Sequence, residues 1–229
     1  MRLAIVGYGK MGKMIDGLAG QYGFEVAHRL DIGYDPAVFA SQPVEVAIEF
    51  SMPEAAAANL ELLASMGIAT VCGTTGWFHD LERVKAAVER TGGALVYSAN
   101  FSIGVNVFQR LAAEAGRLLA NEEQYEAWAW EIHHSAKKDA PSGTLLQLVA
   151  AMKKAGYERR IDQGSNRAGA HPGTHEIGFD SGADTITLRH TARSREGFAR
   201  GALKAAQWVA GKKGVYEFAD ILFGGGTCL

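Results

Sequence analysis

The first twelve residues constrain the fold more than any other stretch of this 229-residue chain. The apolar segment RLAIVG has the length of one buried strand, and the glycine pattern GYGKMG follows it directly. Taken alone, this G-x-G-x-x-G also fits an ordinary glycine-rich turn. Between a strand and a helix, however, it is typical of dinucleotide-binding folds. There Gly7 permits the tight turn, Gly9 admits a pyrophosphate close to the backbone, and Gly12 lets the helix pack on the strand.

Strand-like and helix-like segments alternate after this turn. Four more segments are strand-like, and helical patterns separate them: FEVAHRLD, VEVAIEF, IATVCG and ALVYSAN. In one of these helices, Ser51 and Glu54 have the spacing of a capping box, and Gly67 marks the end. The alternation predicts an α/β fold, a Rossmann-like doubly wound parallel sheet.

Three small or polar loops follow strands of this sheet: GYGKMG, GTTG and SANFS. Because ligands bind doubly wound sheets at the carboxyl ends of the strands, we expect these loops to line one cleft. Asp31 ends the second strand, where an acid can accept a hydrogen bond from the ribose 2′-hydroxyl of NAD. Arg29 could instead pair with the 2′-phosphate of NADP, so the sequence leaves the cofactor preference open.

The second half of the chain follows a different pattern. A long helical stretch, IGVNVFQRLAAEAGRLLA, precedes YEAWAWEIHH, which alternates as a strand does. Ser142 is expected to cap the helix GTLLQLVAAMKKA, and the polar segment YERRIDQGSNRAGAHPG reads as a loop. THEIGFD and DTITLRHTA predict an antiparallel pair, and REGFARGALKAAQWVAGK predicts a final helix. These segments predict a smaller α+β domain with a mostly antiparallel sheet.

Composition excludes several classes of partner. The net charge of −2 gives no overall attraction to nucleic acid or to a membrane surface. No apolar run approaches the ~20 residues of a membrane helix, and the first apolar run is too short for a signal peptide. Cys72 and Cys228 form no metal or redox pattern, and we assign them no role. A cytoplasmic protein is expected.

The densest chemistry lies in EIHHSAKKDAPSGT, residues 131–144. His133 and His134 offer proton donors near neutral pH. They point to opposite faces if both lie on a strand, but at a strand end both can face one ligand. Lys137 and Lys138 favour an anionic ligand, and the N–H groups and hydroxyls that open the next helix suit a carboxylate or phosphate.

Together these features predict a reduction. A dinucleotide on the first domain supplies a hydride, the second domain grips a small multiply charged acid, and a histidine delivers a proton. We expect no metal site, because no third ligand stands near the two histidines in the sequence. Hydrolysis with Ser142 as nucleophile is disfavoured, because the G-x-S-x-G elbow is missing.

Several of these motifs resemble one family. EIHHSAKKDAPSGT closely resembles the E-x-H-H-x-x-K-x-D-A-P-S-G-T signature of the 4-hydroxy-tetrahydrodipicolinate reductases, also called dihydrodipicolinate reductases. Further segments across nearly the whole chain are similar to family motifs: GYGKMG, AIEFSMPEA, GTTGW, SANFSIGVN, RAGAHPGTHEIGF and HTARSREGFARGALKAA. Two features depart from the family. The stretch between Gly156 and Arg167 is shorter, and the second strand offers His28, Arg29 and Asp31 in place of an acid followed by arginine.

The resemblance implies NAD(P)H-dependent reduction of 4-hydroxy-tetrahydrodipicolinate to tetrahydrodipicolinate, in the diaminopimelate route to lysine. It implies that His133 is the acid/base residue and that Lys137 donates a proton and holds the dicarboxylate substrate. The implied substrate contacts are His134, Ser142, Gly143 and Thr144. Together with Asp31, the implied contacts to NADH or NADPH are Gly7, Tyr8, Gly9, Lys10, Met11, Gly12, Phe50, Gly73, Thr74, Thr75, Ser98, Ala99, Asn100 and Phe101.

The resemblance also implies the organisation of the protein. Residues 1–102 and 196–229 form the dinucleotide-binding domain, and residues 103–195 form the substrate and oligomerisation domain. Four chains assemble through the sheet of the second domain.

Two other functions remain open on sequence grounds. The same scaffold can reduce another small imino or keto acid, because helix N-terminal contacts to carboxylates are generic. A non-catalytic dinucleotide sensor would bind the cofactor without turnover and would not require His133.

Overall fold

The computed structural model describes residues 1–31 and 33–224, so Cys228 lies outside the described residues. The chain divides into two compact units. The first comprises Met1–Ile103 and the chain from Glu196 onward, and the second comprises Gly104–Arg195. No helix in the described ranges combines the length and the apolar character needed to cross a bilayer.

The described residues form ten strands and eight α-helices. The strands are β1 (Arg2–Val6), β2 (Glu25–Leu30), β3 (Val46–Glu49), β4 (Ala69–Cys72), β5 (Ala94–Tyr97), β6 (Glu126–His133), β7 (Ile161–Arg167), β8 (Thr174–Asp180), β9 (Thr185–Thr191) and β10 (Gly214–Glu217). The helices are α1 (Lys10–Ala19), α2 (Val38–Ser41), α3 (Pro53–Ser65), α4 (Leu81–Thr91), α5 (Ile103–Leu118), α6 (Gly143–Lys154), α7 (Glu196–Val209) and α8 (Phe218–Phe223).

The first unit contains a six-stranded sheet in the order β10-β5-β4-β3-β1-β2, with every pair parallel. Alternate residues of β1 feed two different cores, because side chains alternate across a strand. Leu3 and Ile5 pack with α1 and α7, whereas Ala4 packs on the other face with Leu63 of α3. Helices therefore cover both faces, which confirms the predicted Rossmann-like parallel sheet.

One predicted local feature of this unit is wrong. Ser51 does not cap α3, whose N-cap is Met52 with no side-chain cap and with Pro53 in the first turn. The Ser51 hydroxyl instead donates to the buried carboxylate of Glu49, which competes successfully for it. The other end of the helix is as predicted, since Gly67 follows with a φ of +70°.

The second unit contains a four-stranded sheet in the order β7-β6-β8-β9. The β6–β8 and β8–β9 pairs are antiparallel, so the predicted mostly antiparallel sheet is confirmed. Ala127 and Ala129 of β6 face the core, where they cluster with Leu145 and Leu148 of α6. One face of this sheet therefore packs against α6.

Part of the segment predicted as a polar loop is instead strand β7, which pairs in parallel with β6. Ile161 is buried, but most of the following residues of this edge strand are exposed. An edge strand that packs only one apolar side chain shows no alternating pattern, so the polar sequence concealed it.

Candidate active site

The carboxyl ends of the parallel strands meet at one edge of the first unit's sheet. Val6, Glu49, Cys72 and Tyr97 lie opposite one another in register. The residue after each strand continues the ladder: Phe50 donates to Val6 (2.8 Å), Gly73 to Glu49 (2.9 Å) and Ser98 to Cys72 (3.2 Å). The predicted cofactor loops at residues 7–12, 73–75 and 98–101 therefore leave the sheet at the same edge.

Two glycines at this edge are required by close packing. Gly7 has a φ of +95°, and a Cβ placed there would lie 2.2 Å from the carbonyl oxygen of Phe50. A Cβ at Gly73 would lie 2.1 Å from the ring of Phe50, so that ring packs directly on the glycine backbone. Gly12 also fits its predicted role, since a Cβ there would be 2.4 Å from the Gly7 carbonyl oxygen.

Gly9 differs from these three glycines. A Cβ built on it would meet no described atom within 4 Å apart from its neighbours along the chain, so packing against other parts of the protein does not explain this glycine. Gly9 is also the N-cap of α1 and provides no side-chain cap, while Lys10 and Met11 form the first turn. The backbone N–H groups at this helix end can therefore receive an anion.

The remaining predicted cofactor residues differ in exposure. Asp31 and Ala99 are exposed, as is Thr75, whereas Thr74 is buried and its hydroxyl has no hydrogen-bond partner among the described residues. The Ser98 hydroxyl bonds with the backbone of Asn100 and so shapes that loop.

Phe101 is a core residue. Its ring is 1% exposed and packs between Phe50 and Phe218, with centroid distances of 6.2 and 4.7 Å. The Phe101 side chain is therefore too buried to contact a ligand at the sheet edge directly, and it can act only by supporting the ring of Phe50.

Arg29 forms an ion pair within the protein. Its guanidinium binds Asp16 of α1 through two contacts of 2.8 Å, and the Tyr8 hydroxyl donates to the same carboxylate. Hydrogen bonding to Arg29 holds the pKa of Asp16 below its ordinary value. Asp16 was not singled out in the sequence, yet it neutralises the arginine that could bind a 2′-phosphate.

Glu131 is the centre of the candidate site in the second unit. The alternation of β6 turns Glu131 and His133 to the same face as Ala129. The carboxylate is fully buried, and its Oε1 accepts from the Ser142 backbone (2.9 Å), the Ser165 hydroxyl (3.0 Å) and Arg167 (2.9 Å). Burial raises the pKa of Glu131, but the hydrogen bonds from Ser142 and Arg167 outweigh it and lower the pKa to about 2. Glu131 is therefore ionised at neutral pH.

Two histidines face the second oxygen of this carboxylate. The Nε2 atoms of His133 and His175 each lie 3.3 Å from Glu131 Oε2 and 3.3 Å from one another. Burial lowers the pKa of His133, and the positive charge of Lys137 lowers it further against the opposing effect of Glu131. Burial and the neighbouring His133 lower the pKa of His175 to about 4. Both shifts favour the neutral form of the rings.

Lys137 lies in the loop between β6 and α6, where it binds Asp139. Its ammonium group contacts both carboxylate oxygens, at 2.7 and 2.8 Å. Hydrogen bonding to Lys137 lowers the pKa of Asp139, and the Gly143 backbone at the start of α6 contributes in the same direction. A carboxylate of this chain thus already lies where a lysine and a helix N-terminus meet.

The other predicted substrate residues lie near the start of α6 or next to the end of β6. Ser142 caps α6, as predicted, by accepting from the Leu145 backbone at 3.2 Å. Its hydroxyl is also 3.2 Å from His175 Nε2 and is buried, so it belongs to the histidine cluster. Gly143 is exposed, and Thr144 is half-buried in the first turn. His134 follows the end of β6, so strand alternation does not force it away from the face of His133.

The sequence interpretation missed Glu131, Ser165, Arg167 and His175 as site residues. Glu131 and His175 are direct cross-strand neighbours, and so are Glu131 and Ser165. The sequence did contain a signal for three of them, because Glu131, Arg167 and His175 all lie in segments that carry the family resemblance. Without β7 as a strand, however, Ser165 and Arg167 could not be placed beside Glu131. The statement that the histidines lack a further ligand nearby was wrong.

Comparison with known proteins gives the family. A family model described as "Dihydrodipicolinate reductase, N-terminus" matches residues 1–101, and one described as "Dihydrodipicolinate reductase, C-terminus" matches residues 104–222. The chain belongs to the dihydrodipicolinate reductase family. A 4-hydroxy-tetrahydrodipicolinate reductase of Christiangramia forsetii is 34% identical, over 97% of this chain and 98% of its own length. One of Methanoregula boonei is 38% identical, over 81% of this chain and 78% of its own.

A solved structure supports the same fold. The dipicolinate-bound dihydrodipicolinate reductase of Paenisporosarcina sp. TG-14 matches with a TM-score of 0.81 and 19% identity, covering 96% of this chain and 99% of that one. At this identity the likeness shows the fold alone. Membership of this family places the chain among reductases.

Proposed function

We propose that the protein reduces 4-hydroxy-tetrahydrodipicolinate to tetrahydrodipicolinate with NADH or NADPH, in the cytoplasm and in the diaminopimelate route to lysine. One observation carries the proposal beyond family membership. The ionised Glu131 and the neutral His133 lie in the same unit as Lys137, whose ammonium group already binds a carboxylate. Lys137 can therefore bind a carboxylate of a small dicarboxylate substrate, and His133 can transfer a proton to that substrate.

The first unit fits a nicotinamide dinucleotide. Gly9 opens an uncapped helix, and no described atom fills the space beside it. The buried Thr74 hydroxyl has no partner among the described residues, and the loops at residues 7–12, 73–75 and 98–101 share one sheet edge. We propose these loops and Asp31 as the residues that hold the dinucleotide, with residues 1–102 and 196–229 as its domain. When bound, the dinucleotide supplies a hydride.

Residues of the second unit would bind the substrate and transfer the proton. Lys137 and the N-terminus of α6, with Gly143 and Thr144, bind carboxylates, and His134 lies beside them in the chain. A dianionic substrate beside His133 raises the pKa of that ring, because a nearby negative charge favours the protonated form. The 4-hydroxyl group of the substrate would leave as water, and the double bond left behind would accept the hydride. The ring would take up a proton when the substrate binds and deliver it to complete this reduction, while the ionised Glu131 stabilises the positive charge of the ring.

Gly9 offers a test of dinucleotide binding that does not depend on turnover. We expect Gly9→Ala to weaken NADH and NADPH binding at least about tenfold, because the new methyl group occupies the approach of the pyrophosphate. Stability should hardly change, since no described atom lies within 4 Å of the added carbon. Fluorescence titration measures the binding, and thermal unfolding measures the stability.

Gly17→Ala is the matched control. Gly17 lies in the same helix with equally open space, so this variant should bind cofactor normally and be slightly more stable. Equal cofactor affinity in Gly9→Ala and the parent would show that the pyrophosphate does not pass this loop.

The Arg29–Asp16 pair favours NADH over NADPH. A 2′-phosphate must compete with Asp16 for the guanidinium, whereas a 2′-hydroxyl needs no cation. We expect Asp16→Ala to shift the ratio of kcat/KM values toward NADPH by several-fold and at most about tenfold, since exposed ion pairs are weak. Parallel kinetics with both cofactors measure the ratio, and an unchanged ratio would contradict this explanation of the preference.

We propose that residues 103–195 form the oligomerisation domain and that four chains assemble through its sheet. Trp128 and Trp130 of β6 lie on the face opposite Ala127 and Ala129 and are only half-buried. Burying such aromatic side chains in an interface is favourable. Light scattering should give four chains per particle, and a single chain would overturn this assembly.

A substrate panel tests the reaction itself. The parent enzyme and NADH are mixed with 4-hydroxy-tetrahydrodipicolinate made in place by the upstream synthase, and then with other small imino and keto dicarboxylates. The absorbance of NADH should fall fastest with 4-hydroxy-tetrahydrodipicolinate. Faster turnover of another acid would favour a reductase of different specificity on the same scaffold.

A further inference from the structure

We propose that Glu131, His133 and His175 form a binding site for a divalent transition-metal ion of the zinc type. The candidate ligand atoms are Oε2 of the carboxylate and Nε2 of both rings, and all belong to the second unit. Imidazole and carboxylate together suit zinc and its neighbours, whereas magnesium and calcium prefer oxygen ligands alone.

The spacing of the three atoms matches coordination better than hydrogen bonding. Each of the three separations is 3.3 Å. A tetrahedral ion with bonds of ~2.0–2.1 Å separates its ligand atoms by ~3.3–3.4 Å. Hydrogen bonds between nitrogen and oxygen are usually shorter, ~2.7–3.2 Å, whereas the pair of Nε2 atoms also lies within hydrogen-bond reach. The three separations therefore fit an ion bound to all three atoms, which would replace the 3.2 Å contact between the Ser142 hydroxyl and His175 Nε2.

The second oxygen of Glu131 adds to the case for a ligand. Glu131 is fully buried, and its Oε2 lies 3.3 Å from both histidine Nε2 atoms but makes no well-aligned hydrogen bond among the described residues. Buried polar atoms are rarely left in this state. The other oxygen receives three hydrogen bonds, which fix the carboxylate so that Oε2 faces the two rings. Such outer contacts are the usual means of orienting a metal ligand.

The neighbouring charges limit the affinity. Arg167 lies 2.9 Å from Oε1 and offsets much of the carboxylate's attraction for a dication. Three protein ligands leave one position of a tetrahedral ion for water. We therefore expect a reversible site that responds to free zinc, in contrast to a permanently filled structural site.

Occupancy would also stop turnover. A metal ion on Nε2 of His133 removes that atom from proton transfer. This consequence rests on the proposed role of His133 in the reduction, whereas metal binding itself does not.

Cobalt is the probe, because Co²⁺ takes the same ligands as Zn²⁺ and absorbs visible light strongly when tetrahedral. Co²⁺ is added to the parent protein without dinucleotide or substrate. The expected result is a visible band that saturates at one ion per chain and disappears when Zn²⁺ is added. Absence of the band would overturn the site.

Variants locate the bound ion. His175→Gln and Glu131→Gln should each weaken Co²⁺ binding at least tenfold, whereas His79→Gln, at an exposed position in the first unit, should bind like the parent. Unchanged affinity in a folded His175→Gln would refute the assignment. Zinc protection of His133 and His175 from diethyl pyrocarbonate, measured in the parent by mass spectrometry, gives an answer even if a variant does not fold.

Turnover is measured separately. If Zn²⁺ inhibits the parent and a chelator restores activity, both the site and the role of His133 are supported. If Co²⁺ binds at the three ligands but a bound metal leaves turnover unchanged, the metal site stands and the proposed role of His133 fails.

Discussion

His133→Gln lowers kcat by about 10²–10⁴-fold, the range that general acid–base catalysis contributes. Glutamine keeps a polar side chain of similar reach but has no group that exchanges a proton near neutral pH. NADH affinity should stay close to that of the parent, because the proposed cofactor residues all belong to the first unit. Steady-state kinetics and fluorescence titration of the cofactor measure the two effects independently.

The control for this variant is His79→Gln, which changes an exposed histidine of the first unit and should leave turnover intact. Full activity in His133→Gln would remove the central residue from the proposed chemistry. Equal loss of turnover and of cofactor affinity would indicate damage to the fold in place of a lost proton donor.

Lys137→Ala reduces kcat/KM by about 10²–10³-fold, with KM raised and kcat lowered. Removing one partner of a charge pair in a binding site costs about 2–5 kcal/mol, partly because the other charge is left unpaired. Here the loss includes a second effect. Without Lys137, the Asp139 carboxylate stays at the start of α6 and repels the substrate's carboxylates.

Two further variants separate these contributions. Lys138→Ala removes the adjacent and exposed ammonium group, and it should change kcat/KM little. Lys137→Ala combined with Asp139→Asn should recover part of the lost affinity but not the lost kcat, if Lys137 also donates a proton. Equal defects in Lys137→Ala and Lys138→Ala would reduce the role of Lys137 to general surface charge.

The sequence predicted those parts of the structure that local patterns encode. The turn that joins β1 to α1 and the Ser142 cap of α6 each depend on neighbouring residues, and each is confirmed. Ser51 was predicted as a cap from the same kind of pattern and was wrong. The buried Glu49 that binds its hydroxyl is two residues earlier, but its burial is a property of the folded sheet.

The parts that escaped prediction depend on pairing between distant segments. His175 reaches Glu131 only because β8 pairs with β6 in one particular register, and Ser165 reaches it only through β7. Residue spacing along the chain carries no record of that register. The same limit applies to Arg29, which was considered for a phosphate although Asp16, 13 residues earlier, already binds it.

Dinucleotide binding and turnover, followed together with NADH and NADPH in parallel and with 4-hydroxy-tetrahydrodipicolinate as substrate, decide whether this protein is a reductase. We expect both cofactors to bind, NADH more tightly, and at least one of them to be oxidised when substrate is added. Tight binding with no oxidation of either cofactor would rule out the reductase and leave the protein as a sensor of dinucleotides.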